Sequence, residues 1–217
     1  MSRTWAVRVR GVIFDLDGTL VDTWALHADC LREAAAAVGT PRPSMARLFA
    51  VQQPTDLGTV RALVGAESAE GAFGSYRRAW RRKLADNGVR ASPYAHQTLL
   101  ALRARGLAVG VCTGRSLDEA HAVLAAAALT PDVVVAREDA CPAKPAPAGL
   151  LRALRLLGLA PDEAVYVGDG PADAEQGRAA GVRTLLLGRP RPHEPADMQD
   201  RVADLSGLAA ALARGDL

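Results

Sequence analysis

The chain has 217 residues, 49% hydrophobic and 23% charged, with a formal net charge of +2. Such a composition fits a globular protein with one substantial core and a smaller appended module; it excludes a disordered chain, and no apolar run approaches the ~18 residues needed to span a bilayer. The small charge and scattered arginines give no reason to expect nucleic acid as a partner, and the widely spaced Cys30, Cys112 and Cys141 read as reduced thiols rather than zinc or redox ligands.

The first residues carry no apolar signal segment, so the expected location is the cytoplasm. Residues 7–14 form an apolar, β-branched run that stops at a polar turn containing glycine, the pattern of a buried strand delivering residues at its C-terminal end. The stretch that follows holds no convincing strand. It has helical periodicity near residues 24–38, 46–50, 56–63 and 68–87, with breaks at 40–43 and at Pro54. From residue 90 onward strands and helices alternate. Strands are expected at 107–112, 132–135, 164–167 and 183–187, and helices at 94–105, 116–127, 146–157 and 172–180. A proline-rich surface loop at 189–195 follows the last of these strands. Alternation of this kind gives an α/β fold, a parallel sheet with helices on both faces. The expected domains are a Rossmann-like core of residues 1–21 and 90–217 and an inserted α-helical cap of residues 22–89, with hinges near 21–22 and 89–93.

The chemistry gathers at strand ends. Asp15 and Asp17 lie two apart just past the first strand, so extended backbone points both carboxylates one way. Held together they repel. A divalent cation such as magnesium would relieve that repulsion, as would retention of one proton by the pair. Gly168-Asp169-Gly170-Pro171-Ala172-Asp173 brings two more acids after another strand, the second at a helix start, where it is also suited to capping. Lys144, one of two lysines in the chain, is flanked by prolines and is the natural counter-charge. Thr113-Gly114, after the second core strand, offers a hydroxyl and backbone N–H groups to phosphate oxygens. Anion-binding groups around a carboxylate nucleophile make a phosphoryl-transfer site.

In order along the chain, Asp15-Leu16-Asp17-Gly18-Thr19, Thr113, Lys144 and Gly168-Asp169-x-x-x-Asp173 resemble the four motifs of the haloacid dehalogenase-like hydrolase superfamily. The cap inserted after the first strand resembles that of its phosphoglycolate phosphatase and β-phosphoglucomutase branch. The resemblance implies that Asp15 is the nucleophile and a magnesium ligand. It makes Asp17 the general acid and then base, binding the metal through its backbone carbonyl. Thr113, with Gly114, and Lys144 would hold the phosphoryl group, Asp169 would ligate Mg2+, and Asp173 would support the metal shell or Lys144.

The activity so implied is hydrolysis of a small phosphomonoester, such as a sugar phosphate, phosphoglycolate or a phosphorylated biosynthetic intermediate, by a monomer or weak dimer. A phosphosugar mutase and a catalytically silent binding module are the alternatives. The cap loop Gln52-Gln53-Pro54 lacks the basic residue a mutase needs for its second phosphate, and Asp17 favours phosphate chemistry over dehalogenation. Gln52, Gln53 and Arg115 are candidate substrate-reading residues. The basic run from Arg77 to Lys83 reads as a solvated helix face. A phosphonoacetaldehyde hydrolase of the superfamily uses a lysine near the start of its cap as a Schiff base, and since Lys83 lies near the end, the resemblance implies no such role for it. The four histidines show no metal-ligand spacing.

Overall fold

The structure is a computed structural model that describes residues 9–53, 55–188 and 200–214. The break expected at Pro54, the proline-rich loop expected at 189–195 and residues 7–8 of the expected first strand lie outside the described residues; of that expected strand, Gly11–Phe14 are strand and residues 9–10 are not. The strands in chain order are β1 (Gly11–Phe14), β2 (Val21–Asp22), β3 (Arg90–Ala91), β4 (Ala108–Cys112), β5 (Val133–Val135), β6 (Ala164–Gly168), β7 (Arg183–Leu187) and β8 (Asp200–Val202). The helices are α1 (Trp24–Ala37), α2 (Met45–Ala50), α3 (Asp56–Val64), α4 (Ala69–Asn87), α5 (Ala95–Ala104), α6 (Leu117–Ala126), α7 (Ala148–Leu157), α8 (Pro171–Ala180) and α9 (Leu205–Arg214). The chain divides into two compact units, one of residues up to Val21 and from Ala91 onward, the other Asp22–Arg90. It passes between them through β2 and β3, which pair as a two-stranded sheet.

In the first unit six strands form one sheet in the order β5-β4-β1-β6-β7-β8, and each pair is parallel. Val12, Ile13 and Phe14 are all fully buried, the signature of a strand covered on both faces rather than on one. From β1 the chain runs outward through β4 to β5, then crosses back to β6 and proceeds to β7 and β8. Right-handed crossovers in these two directions put helices on opposite faces of the sheet, and they make the carboxyl ends beside β1 the switch point where ligands bind. Register aligns those ends: Phe14 lies opposite both Val111 and Val167.

Helix α7 shows how one face is closed. Leu150, Ala153 and Leu154 fall on one helical stripe and pack with Ile13, Cys112, Val135 and Tyr166. The helix starts two residues later than its periodicity suggests, because Ala143 to Pro147 form a turn closed by the Ala146 N–H on the Ala143 carbonyl. It ends at Gly158, whose φ of 65° accepts the left-handed cap.

Four elements escape the sequence reading: the two-residue strands β2 and β3 at the ends of the inserted stretch, where no strand was expected and which form only by pairing with each other, and the pair β8 and α9. Asp-Arg-Val of β8 has no apolar run, yet it completes the exposed edge of β7. The alanine-rich α9 buries Leu205, Leu208 and Ala211, and Thr98 of α5 donates its hydroxyl to the Leu205 carbonyl.

Between β2 and β3 the described residues of the second unit form four helices. α4 buries Ala69, Ala72, Tyr76, Ala79 and Trp80 along one stripe, and α1 buries Ala28, Leu31, Ala34 and Ala35. The small alanines let the two backbones pack closely. Ser44 and Thr55 cap α2 and α3, accepting hydrogen bonds from the N–H groups of Arg47 and Gly58. No helix among the described residues is long and apolar enough to cross a membrane.

Candidate active site

Asp15 continues the β1 ladder by one residue, its N–H donating to the Val167 carbonyl at 2.8 Å. The chain then folds back on itself: the N–H groups of Leu20 and Val21 both reach the Leu16 carbonyl, and Gly18 donates to Val21. Gly18 has a φ of 78°, and a Cβ there would stand 2.7 Å from Asp169 Oδ2. Only glycine serves both the turn and the approach of Asp169.

At the centre is a buried chain of charge. Lys144 Nζ lies 2.6 Å from Asp15 Oδ1 and 2.8 Å from Asp173 Oδ1. Asp173 accepts two further side-chain and backbone sets: the Tyr166 hydroxyl at 2.7 Å, and the N–H groups of Asp169 and Gly170, each at 3.2 Å. Burial works against the Asp173 carboxylate, but Lys144, Tyr166 and the Gly170 N–H outweigh it and hold its pKa below the ordinary value. Burial likewise opposes the Lys144 ammonium, yet Asp15 and Asp173 hold it well above its ordinary range, so it remains a cation. Asp15 goes the other way. Burial raises it well above the usual carboxylate range, Lys144 pulls it down, and Asp173, Asp169 and Asp17 push it up again. Lys144 alone does not match the negative charge assembled here.

That imbalance bears on a metal. Oxygen atoms of Asp15, Asp169 and Asp173 lie within 4.8 Å of one another. An all-oxygen donor set that is short of positive charge suits a hard divalent cation such as Mg2+. The ligand set implied by the resemblance was Asp15, Asp169 and the backbone of Asp17; the side-chain oxygens that cluster are those of Asp15, Asp169 and Asp173, and the Asp17 side chain is paired with Arg115. Arg115 Nε and Nη2 donate to its two carboxylate oxygens at 2.7 and 2.8 Å.

Thr113 stands directly past β4, its N–H bound to the Val135 carbonyl. Its hydroxyl oxygen accepts the Arg115 N–H at 3.2 Å. Gly114 has open space where a Cβ would project. The guanidinium of Arg115, considered above as a substrate contact, is given to Asp17. Cys112, next to Thr113, is inert: burial pushes its thiol up to about 11.

In the helical unit, the Gln52 side chain donates to the Leu48 carbonyl at 3.0 Å, and the Gln53 N–H donates to the Thr59 hydroxyl at 2.9 Å. Lys83 sits 3.0 Å from Glu33, and that hydrogen bond raises its pKa, opposite to what a Schiff-base amine requires. The neighbouring Arg77, Arg78, Arg81 and Arg82 are exposed.

Sequence reasoning missed Tyr166 and Gln176. Tyr166 is fully buried in β6, and burial pushes its phenol well above the ordinary range, so it stays a donor to Asp173. Its ring also lies under Lys144, 5.4 Å from Nζ to the centroid. Gln176, fully buried in α8, donates to the Ala146 carbonyl and so ties the Lys144 loop to that helix. For Tyr166 the available signal was a hydroxyl on a strand otherwise apolar; Gln176 stands among other polar residues of α8 and gave no such signal.

The Haloacid dehalogenase-like hydrolase family model matches residues 12–187. A phosphoglycolate phosphatase from Rhodospirillum rubrum is 33% identical over 214 residues, covering 92% of this chain and 86% of that protein. Hexitol phosphatase A from Escherichia coli is also 33% identical, over 186 residues, covering 85% of each chain. Among solved structures, CbbY from Rhodobacter sphaeroides in complex with phosphate superposes with a TM-score of 0.76 at 22% identity, covering 92% of this chain and 96% of that one, a likeness of fold.

Proposed function

The chain belongs to the haloacid dehalogenase-like hydrolase family, and from that premise we propose that it is a phosphatase hydrolysing a small phosphomonoester through an aspartyl-phosphate on Asp15. The observation that carries the proposal is the buried Asp15–Lys144–Asp173 chain beside Asp169, at the switch point of a parallel sheet. The phosphatase names of the two relatives at 33% identity support the reaction class and suggest sugar phosphates or phosphoglycolate as substrates.

In this reading a carboxylate oxygen of Asp15 attacks phosphorus, and the P–O bond to the leaving group breaks. Asp17 gives its proton to the departing oxygen. It then takes a proton from a water that attacks the acyl-phosphate, which releases inorganic phosphate and regenerates Asp15. Thr113 and the Gly114 N–H bind phosphoryl oxygens, and Lys144 adds positive charge while Asp173 and Tyr166 hold its ammonium in place. Asp15, Asp169 and the backbone carbonyl of Asp17 would hold Mg2+, and Asp173, which accepts the Asp169 N–H and pairs with Lys144, would support them. The ion supplies charge that offsets the repulsion between an anionic nucleophile and an anionic ester.

The test is release of nitrophenol from p-nitrophenyl phosphate with Mg2+ or with excess EDTA, in the wild type and in Asp15→Asn. Release only with Mg2+, abolished by Asp15→Asn, is expected. Full activity of Asp15→Asn would refute the nucleophile. A panel of phosphorylated metabolites ranked by kcat/KM then identifies the substrate.

A further inference from the structure

We infer that Arg115 is a positioning residue for Asp17: its guanidinium fixes the acid/base carboxylate in the orientation the reaction uses, and it does not read the substrate. The inference rests on the acid/base role proposed above for Asp17. Three observations carry it.

The first is the fork. Nε and Nη2 of Arg115 donate to Asp17 Oδ2 and Oδ1 at 2.7 and 2.8 Å, a pair of near-equal bonds that fixes the carboxylate's plane as well as its place. A lysine ammonium, as a point donor, cannot fix that plane. The second is burial. The Arg115 side chain is only 8% exposed, whereas Asp17 is 32% exposed, so the arginine grips from the protein side of the pair. A guanidinium so buried and so committed is poorly placed to meet a substrate. The third is that Arg115 is itself held at both backbone ends. Its N–H donates to the Thr113 hydroxyl oxygen, and its carbonyl accepts the Arg137 N–H at 2.8 Å. The same short segment past β4 therefore carries the expected phosphate contact, Thr113, and the clamp on the expected acid/base, Asp17.

Asp17 needs such a clamp. It lies in a turn outside the ladder, on a partly exposed side chain, and proton transfer depends on its position to a fraction of an ångström.

The experiment separates positioning from plain structural support by varying the leaving group. An alkyl alcohol must be protonated as it departs, whereas nitrophenolate leaves without a proton. Hydrolysis of the aspartyl-phosphate needs the base in both cases. For Arg115→Met, kcat on an alkyl phosphate such as glycerol 3-phosphate is expected to fall about 10- to 100-fold with KM within about threefold. On p-nitrophenyl phosphate a burst of nitrophenol stoichiometric with enzyme is expected to survive, followed by slow turnover. Binding of inorganic phosphate, followed by calorimetry, is expected to stay within about threefold of wild type. Arg115→Lys keeps the charge and one hydrogen bond, and it carries the test independently if the methionine variant does not fold. It should show a smaller loss with the same dependence on leaving group. Equal losses on both substrates without a burst, an effect on KM alone, or an unchanged kcat would each overturn the inference. Failure of the wild type to release nitrophenol with Mg2+ would instead sink the phosphatase reading, and this inference with it.

Discussion

Tyr166→Phe isolates one hydrogen bond within the buried charge chain. The phenylalanine ring occupies the space of the tyrosine ring, so no cavity opens, and the contact of the ring face with Lys144 is retained. What is lost is the 2.7 Å hydrogen bond from the hydroxyl to Asp173 Oδ1. A hydrogen bond to a charged group contributes about 1.5–3 kcal/mol. Asp173 keeps Lys144 and two backbone N–H donors, which places the cost near the lower end, about 2 kcal/mol. For a chain of this size that corresponds to a fall in Tm of about 4–8 °C. Thermal unfolding of both proteins by circular dichroism, at neutral pH without metal, measures it. A change under about 0.5 kcal/mol would show that the hydroxyl does not stabilise Asp173 and would refute the account of the chain, because surface-like substitutions fall in that range.

Asp15→Asn should raise the Tm of metal-free protein at neutral pH. Asp15 has a folded pKa raised above its unfolded value, so its contribution to stability is present at low pH and lost as pH rises through the folded value. The gain should therefore vanish below the ordinary carboxylate range, near pH 3.9, and a gain that persists there would contradict it. Gly18→Ala places a methyl group against Asp169 at a positive φ, costing about 1–2 kcal/mol of backbone strain. It should also raise the Mg2+ needed for half-maximal activity about tenfold, read from metal titrations of nitrophenol release. Leu150→Ala empties a fully buried position under the sheet and should cost about 2–5 kcal/mol in urea unfolding, with kcat per folded molecule unchanged.

Much of this molecule was legible locally. Strands of the core announce themselves as short apolar runs ending in polar, glycine-containing turns, and the helices follow from periodicity to within one or two residues. Asp15, Thr113, Lys144 and Asp169 could be singled out because each stands just beyond such a run or, for Lys144, between prolines in a lysine-poor chain. β8 and α9 were not legible: a polar triplet becomes a strand only because β7 offers an unpaired edge, and an alanine-rich run carries little contrast between faces.

The sequence by itself determined which groups are present and at which end of each strand they stand, since apolar runs and turn residues act over a few positions. Tertiary structure decided which groups meet. Arg115 and Asp17 are brought side by side because β1 and β4 pair with Phe14 opposite Val111, so that the two segments leave the sheet together. Tyr166 reaches Asp173 only because α8 turns back over the end of β6. The first partnership depends on strand register across the sheet and the second on how α8 is placed after β6, neither of which the apolar pattern encodes.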